Sequence, residues 1–470
     1  MLPSTCFALC AALLAAVAFP ASAQEQDLTR YEAFARDVFR ELIDINTTHS
    51  VGNTTEAAEA MAARLLAAGF LESDVQVVGG VPNRGNLVAR LRGSGSGRPP
   101  ILVMAHLDVV EADPADWTAD PFTFLERDGY FYGRGTTDDK DEAAIYVANL
   151  IRMKEEGFVP DRDIIVALTA DEEGGPNNGV QWLIENRRDL IEAAYGLNEG
   201  GGGAMKNGVR ISNNVQASEK IYQSFLFEVT NPGGHSSLPV KDNAIYHLAE
   251  SMLKVRSHDF PVQLNEVTRA YFEGTAELVD PETAAAMRGI LRTPPDPDAV
   301  AQLAPFPVYN SRMRTTCVAT MLEGGHAENA LPQRAQATVN CRILPDASPD
   351  DVYQTLVRVA GSDQVAITPE GAGRPSPPSP LTPEVMGAIE RVTEQMWPGV
   401  PVIPTMSTGA TDGAALRRVG IPVYGVSGLF TDVDDVRAHG QDERLSTRSF
   451  YEGLEFLYRL VRALSSADVM

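Results

Sequence analysis

The chain has 470 residues and 44% hydrophobic content, which suits a globular protein of two domains with a sizeable core. Its formal net charge of -24 argues against a nucleic-acid partner or an anionic membrane surface. An acidic solvated surface explains that charge, which carries no positive information about substrate.

The N-terminal residues read as a targeting segment. Residues 6–19 form an apolar run closed by Pro20, and Ala21-Ser22-Ala23 supplies the small-x-small pattern of a signal-peptidase site. Cleavage after Ala23 would leave Gln24 as the mature N-terminus of a periplasmic or secreted protein. No Lys or Arg precedes the run, and it is shorter than the ~20 apolar residues of a spanning helix. No other stretch is apolar enough to span a bilayer. Removal of the segment would take Cys6 and Cys10 with it; for Cys317 and Cys341 a disulfide and two free thiols are both open.

Helical periodicity predicts helices over 31–43 and 55–68, the second closed by Gly69. Residues 86–91 alternate like a half-buried strand. Residues 101–105 and 163–169 are continuous apolar runs, as strands covered on both faces should be, and 139–154 is helical. A further strand ends at 195–198. After the glycine run 200–203 the character changes: strands are predicted over 209–215 and 222–230 and a helix over 244–255. Residues 257–310 read as mostly helical or irregular, with a proline-rich patch at 293–297. A strand over 336–342 and a helix over 349–359 precede a Gly-, Pro- and Ser-rich linker at 371–380. A helix over 382–396, a strand over 421–426 and a helix over 447–464 complete the chain. The pattern is an α/β domain interrupted by a smaller α+β insertion. A signal peptide occupies 1–23, the catalytic domain 24–208 and 373–470, and the insertion 209–372.

The residues that carry chemistry fall after predicted strands, where ligands bind in α/β sheets. His106 and Asp108 follow the 101–105 strand and, two apart, point to one face, so His106 can ligate a metal while Asp108 holds its other ring nitrogen. Alone, this pair is no more than a strand-end histidine with an acidic neighbour. The turn Gly133 to Lys140 carries Asp138 and Asp139, which either complement a helix dipole or, through Asp138, offer oxygen to a metal. Asp171-Glu172-Glu173 closes the 163–169 strand; three carboxylates beside apolar walls are costly without a cation or protons. One of them can bind metal while a neighbour acts as general base. Glu199 ends the 195–198 strand, and His439 lies beyond the last one. A mixed set of nitrogen and oxygen ligands suits zinc, with manganese or cobalt as substitutes. Five ligands are too many for one open catalytic zinc and suit two Zn2+ ions bridged by Asp138 and water.

These residues resemble the co-catalytic zinc peptidases that include aminoacylase, acetylornithine deacetylase, succinyl-diaminopimelate desuccinylase, glutamate carboxypeptidase and bacterial dipeptidases. The resemblance rests on His106-Leu107-Asp108, Gly133 to Lys140, Asp171 to Gly175, Asn198-Glu199-Gly200, Gly233-Gly234-His235-Ser236-Ser237 and His439, in the family's order. It implies a zinc-peptidase catalytic domain with a mixed central sheet flanked by helices, plus an inserted lid that frequently dimerises. It implies that His106 and Glu199 hold one zinc, Glu173 and His439 the other, and that Asp138 bridges them, often with a cis peptide to Asp139. Glu172 would be the general base and Asp108 the partner of His106.

In the insertion, His235 reads on its own as a loop histidine; the resemblance makes it an oxyanion donor, often supplied by the partner subunit. The resemblance also picks out Asn329, Arg342 as an anchor for a substrate carboxylate, and the loop 407–413, where Gly409 and its neighbours would bind that carboxylate through backbone amides. His49, His247, His258 and His326 are expected to be structural or superficial. The implied reaction is hydrolysis of amide bonds in small peptides with a free C-terminal carboxylate, or in N-acyl amino acids. A non-catalytic binding protein on the same scaffold ranks lower, because the ligands, the base and the orienting Asp are all present.

Overall fold

The computed structural model describes residues 28–466. The expected signal segment, with its cleavage site, lies outside the described residues. Among them, no helix is long and apolar enough to cross a membrane.

A ten-stranded mixed sheet dominates the fold. At its centre Ile164–Thr169, Ile101–His106, Tyr195–Asn198 and Val423–Gly425 lie side by side and parallel. The first two are wholly buried, which is why they read as unbroken apolar runs. Asn86–Leu91 and Val75–Val78 extend the sheet antiparallel at one edge.

Helices cover both faces. Arg30–Asp44 begins with a capping box between Thr29 and Glu32, and buries Ala35, Val38, Phe39, Leu42 and Ile43 along one stripe. Lys140–Glu155 is buried on nearly every side because Arg30–Asp44, the sheet and the long helix Thr447–Ser465 all pack on it.

The strand Val209–Glu219 differs from expectation in length and in place. It hydrogen-bonds within the large sheet, to Val402–Ser407 in parallel and to Gly203–Lys206 antiparallel. The insertion's own sheet therefore begins at Ile221, beyond the boundary expected at 208/209. Polar residues conceal the end of this strand: Gln216, Ser218 and Glu219 are buried in it, and Glu219 accepts from Thr411 Oγ1 at 2.8 Å.

The insertion proper is a four-stranded antiparallel sheet, Thr316–Gly324, Arg334–Ile343, Ile221–Thr230 and Val365–Glu370, covered by Ala244–Arg256 and Pro349–Ala360. Cys317 and Cys341 face each other across its first strand pair and form a disulfide. The segment after Ser257 is a separate group of helices, Glu266–Thr275, Pro281–Ile290, Pro297–Leu303 and Pro307–Met313, around Phe272, Met287, Ile290 and Leu303. Pro281, Pro297 and Pro307 sit at helix starts, the first two just after the capping residues Asp280 and Asp296, while Pro294 and Pro295 of the proline-rich patch lie between helices. Its first helix packs on Val402–Ser407, so this segment leans on the large sheet and not on the small one.

Candidate active site

The carboxyl ends of the central parallel strands deliver the acidic and imidazole groups to one place. His106 is the last residue of its strand, Asp171 to Glu173 follow Ile164–Thr169, and Glu199 follows Tyr195–Asn198. Asp138 arrives from the turn before helix Lys140–Glu155, through a cis peptide bond to Asp139. His439 comes from the loop after Phe430–Asp432, with a positive φ of 62°.

Asp138 sits between the two histidines. His106 Nε2 lies 2.9 Å from its Oδ1 and His439 Nε2 3.0 Å from its Oδ2. His439 Nε2 is also 2.8 Å from Glu173 Oε1. In two triplets, His106 with Asp138 and Glu173, and His106 with Glu172 and Glu199, the potential ligand atoms all lie within 4.8 Å of one another. The five expected ligands and Glu172 thus form one cluster.

The donor set fits a cation. His106 Nδ1 lies 2.9 Å from the Asp108 carbonyl oxygen, which can only accept, while Nε2 faces a carboxylate. A neutral imidazole has one N–H and cannot serve both. His439 Nε2 likewise faces two carboxylate oxygens. A proton or a metal must stand at each of these nitrogens, and a metal bound by Asp138 on both sides answers both needs.

Asp108 acts differently from expectation. Its main-chain oxygen, not its carboxylate, lies closest to His106 Nδ1; the carboxylate Oδ1 is 3.7 Å away. The carboxylate instead accepts the backbone N–H groups of Glu172 and Glu173, at 3.1 and 3.0 Å. One residue therefore fixes the tautomer of His106 and the position of the Glu172-Glu173 pair.

Several positioning residues carry no role that their sequence context assigns. Arg134 and Glu443 form a buried ion pair at 2.5 Å. Arg134 also donates to the Gly440 carbonyl, at 3.1 Å, and Glu443 accepts from Thr137 N and Oγ1, at 2.8 and 3.0 Å. This clasp ties the turn holding Asp138 to the loop holding His439. Asp171 is 2% exposed and pairs with the buried Arg84 at 2.9 Å. His49, expected to be structural or superficial, is exposed and approaches Asp171 within 3.9 Å. Asp412, fully inside, accepts from Thr169 Oγ1 and Asn178 Nδ2, at 3.1 and 2.7 Å. Arg134, Glu443 and Asp412 lie within or beside segments already singled out, but nothing in those segments assigns Asp412 its contacts with Thr169 and Asn178.

Electrostatics follow from this crowding. Burial, with Asp412, Glu173 and Asp108 nearby, pushes Glu172 up to about 9 despite His106. Burial, then Glu172, Asp138 and Glu142, also raises Glu199 well above the usual carboxylate range against the pull of His106. Hydrogen bonds to Asp138 and Glu173 push His439 up to about 10. The burial cost of charge on His106 is outweighed by Asp138, Glu199 and Asp108, so it too is raised.

The insertion contributes the remaining expected residues. His235 is exposed on a two-residue ribbon with Ala330–Leu331, and its Nδ1 accepts from Ser237 N, at 3.2 Å. That leaves Nε2 as its N–H donor. The ribbon sets Asn329 beside it, since Ser236 N donates to the Asn329 carbonyl at 3.0 Å. Both hydrogen bonds of His235 run to Ser237, so within one chain it is not brought into the cluster. Arg342 is half-buried, stacks 4.7 Å from the Tyr222 ring centre and donates to the Thr408 carbonyl at 3.2 Å. It thereby reaches the 407–413 loop, where Gly409 N donates to Ser407 Oγ at 3.0 Å and Thr411 Oγ1 donates to the buried Glu219 at 2.8 Å. His247 pairs with Asp242 at 2.9 Å and His258 lies edge-on to Phe260.

Residues 102–463 match the family described as peptidase family M20/M25/M40. The chain belongs to this family. Among curated relatives, human N-fatty-acyl-amino acid synthase/hydrolase is 27% identical over 387 residues, covering 79% of this chain and 75% of its own. Probable carboxypeptidase S-like 2 of Dictyostelium discoideum is 29% identical over 393 residues, covering 80% and 74%. The M20 family metallo-carboxypeptidase Sso-CP2 from Sulfolobus solfataricus shares the fold, with a TM-score of 0.70 at 17% identity over 92% of this chain and 99% of that one. As an M20/M25/M40 member with this cluster intact, the protein is a metal-dependent hydrolase.

Proposed function

We propose that the protein is an exported hydrolase that holds two zinc ions and cleaves amide bonds in small peptides with a free C-terminal carboxylate. The observation that carries this reading is Asp138 placed between His106 and His439, with Glu173, Glu199 and Glu172 around it. His106 and Glu199 would hold one ion, His439 and Glu173 the other, with Asp138 shared. The bound pair supplies Lewis acidity at the scissile carbonyl and at the attacking water.

The chain's own groups do the rest. Cations held by the neighbouring ligands would offset the surrounding carboxylates and keep Glu172 ionised; held by Asp108 through its backbone N–H, it then takes the proton of the attacking water and returns it to the leaving amine. Arg342 and the amides of the 407–413 loop hold the substrate carboxylate and so place the scissile bond. His235 donates through Nε2 to the developing oxyanion. Its exposure in one chain supports a partner copy as the source. The edge strand Thr316–Gly324 and helix Ala244–Arg256, with exposed Ile245, Leu253, Val318 and Leu322 around an 860 Å³ groove, offer the surface for a homodimer. Export is supported by the Cys317–Cys341 disulfide, which persists in oxidising compartments.

A second reading keeps the site and changes the substrate. The curated relative named as a hydrolase of N-fatty-acyl-amino acids favours an N-acyl amino acid deacylase, which needs the same centre and the same carboxylate anchor. Assays of the zinc-loaded protein with dipeptides, longer peptides and N-acyl amino acids decide between them. Peptide turnover that is lost on chelation and restored by zinc is expected; turnover of N-acyl amino acids alone would replace the first reading with the second.

A further inference from the structure

Glu172 follows a backbone turn that needs support from outside itself. Asp171 has a positive φ of 54°, in the left-handed region that residues with a side chain rarely occupy. Such a turn relaxes by rotation of the peptide that follows it, and rotation of the Asp171–Glu172 peptide would redirect the Glu172 side chain. That peptide is held at both edges. Its N–H donates to Asp108 Oδ1 at 3.1 Å, and its carbonyl accepts from Asn178 Nδ2 at 3.3 Å. The N–H and the carbonyl of a trans peptide point in opposite directions, so the two bonds together fix its plane.

Asn178 is itself placed by its surroundings. Its Oδ1 caps helix Gly179–Asn186 by accepting from Gln181 N at 2.9 Å. Gly179 N donates to the Ala170 carbonyl at 2.7 Å, and a Cβ on Gly179 would strike Asn86 and the Ala170 backbone. The helix start is therefore pressed against the end of strand Ile164–Thr169. The amide of Asn178 also donates to Asp412 Oδ1 at 2.7 Å, and the other oxygen of this buried carboxylate accepts from Thr169 Oγ1 at 3.1 Å. With both oxygens engaged, Asp412 cannot turn without releasing Asn178 or Thr169.

Capping alone does not call for asparagine, because serine, threonine or aspartate offers the same acceptor. What asparagine adds is a pair of N–H donors, and here they run to the Asp171 carbonyl and to Asp412. We propose that Asn178 is a positioning residue for Glu172, opposite Asp108 across the peptide, and that Asp412 holds its amide in place. Asp412 belongs to the 407–413 loop, whose Thr411 is fixed to the buried Glu219 and whose Thr408 meets Arg342. Two side chains thus join the loop assigned to the substrate carboxylate with the turn that bears the base. This rests on the amide-hydrolase reading, in which Glu172 moves the proton.

Asn178→Ser keeps an oxygen for the helix cap and removes both donors; Asp412→Ala removes the acceptor that orients the amide. Each variant is compared with the parent as zinc-loaded protein, by hydrogen exchange resolved to single amides and by steady-state kinetics on a dipeptide. The Glu172 amide is expected to exchange about tenfold faster in both variants, because the freed peptide can rotate out of its bond to Asp108. Strands Ile101–His106 and Ile164–Thr169 are expected to exchange as in the parent. For Asn178→Ser, kcat is expected to fall at least about tenfold, with KM and metal content as in the parent. Exchange at Glu172 that keeps the parent rate in either variant, or that quickens across the whole sheet, overturns the proposal. So does a loss of activity carried by KM or by metal content. If exchange quickens as expected but the parent hydrolyses no amide, the functional reading fails and the hold on the Glu172 peptide stands. If the parent hydrolyses amides and Asn178→Ser turns over equally fast, the reading stands and the positioning role falls.

Discussion

Arg134 and Glu443, 309 residues apart in the chain, form an ion pair that is almost wholly shielded from solvent. Through it the turn carrying Asp138 and the loop carrying His439 become one rigid unit. Breaking one partner of such a pair leaves a buried charge alone, at about 3–5 kcal/mol. Arg134→Met is therefore expected to lower the melting temperature, and also to weaken metal binding by about 10- to 100-fold, because the supports of ligands matter nearly as much as the ligands. Thermal unfolding and competitive zinc titration check the two effects together. Unchanged zinc affinity in a folded variant would show that His439 is held by other means.

Glu172→Gln keeps the backbone N–H that Asp108 accepts and removes only the group that can move a proton. Turnover is expected to fall by about 10²- to 10⁴-fold, with metal content unchanged. Metal analysis alongside the assay checks this, and near-normal activity would remove Glu172 from the role of base.

The legible features of the site share a property: each lies next to a strand whose own pattern is unambiguous. Residues 101–105 and 163–169 are apolar without interruption because both faces of the central sheet are covered. The residues that end them then stand out as polar groups at a ligand-binding edge. Asp412 is different. Its loop has no periodic signal, and its partners Thr169 and Asn178 reach it only through the fold. The strand Val209–Glu219 reads short in the sequence because its buried end, Gln216 to Glu219, is largely polar, with Glu219 paired to Thr411 and Arg417 from a distant loop and helix. The hairpin Leu125–Arg127 and Tyr130–Tyr132 has strands of three residues, too few for alternation to register. For Asp108 the residue was legible but the contact was not, since strand-end geometry decides whether its carbonyl or its carboxylate meets His106.

Arg342 donates one hydrogen bond to the Thr408 carbonyl, and under the proposed function the rest of its guanidinium meets the substrate carboxylate. A charge-assisted bond to a carboxylate contributes about 1.5–3 kcal/mol, so Arg342→Ala is expected to raise KM about 10- to 100-fold for a substrate with a free C-terminus. A C-terminally amidated analogue, poor to begin with, should change little. Arg342→Lys should recover only some of the loss, since lysine lacks the planar fork. Equal losses on both substrates would mean that Arg342 supports the fold of the loop and does not meet the carboxylate.

Lys220 joins the large sheet to the insertion, and its Nζ is buried against the Arg314 carbonyl and Thr316 Oγ1 at 2.7 and 3.3 Å. Burial, with Arg342 and Arg312 nearby, lowers it to about 7 from an ordinary 10.5. Between these values the unfolded chain holds the proton and the folded one does not, so this group makes stability rise with pH from about 7 to about 10.5. Below about 7 both states are protonated and the cost of the buried charge is fully felt. Lys220→Met is expected to raise the melting temperature at pH 6 relative to the parent, with the gap narrowing toward pH 10. A gap that stays constant with pH would show that Lys220 remains charged when buried.

His235 is exposed and its hydrogen bonds are confined to its own ribbon, yet Nε2 is left free to donate. If it serves the active centre of a second copy, two inactive variants should repair each other. His235→Ala protein keeps Glu172 and lacks the donor; Glu172→Gln protein lacks the base and keeps the donor. Each alone is expected to lose about 10²-fold or more. After subunit exchange, a centre in the first chain would receive His235 of the second, and a substantial fraction of parent activity should return. Recovery must depend on protein concentration, because a dimer must form. Absence of recovery after verified mixing of subunits would place His235 in service of its own chain, through a movement of the insertion toward the sheet.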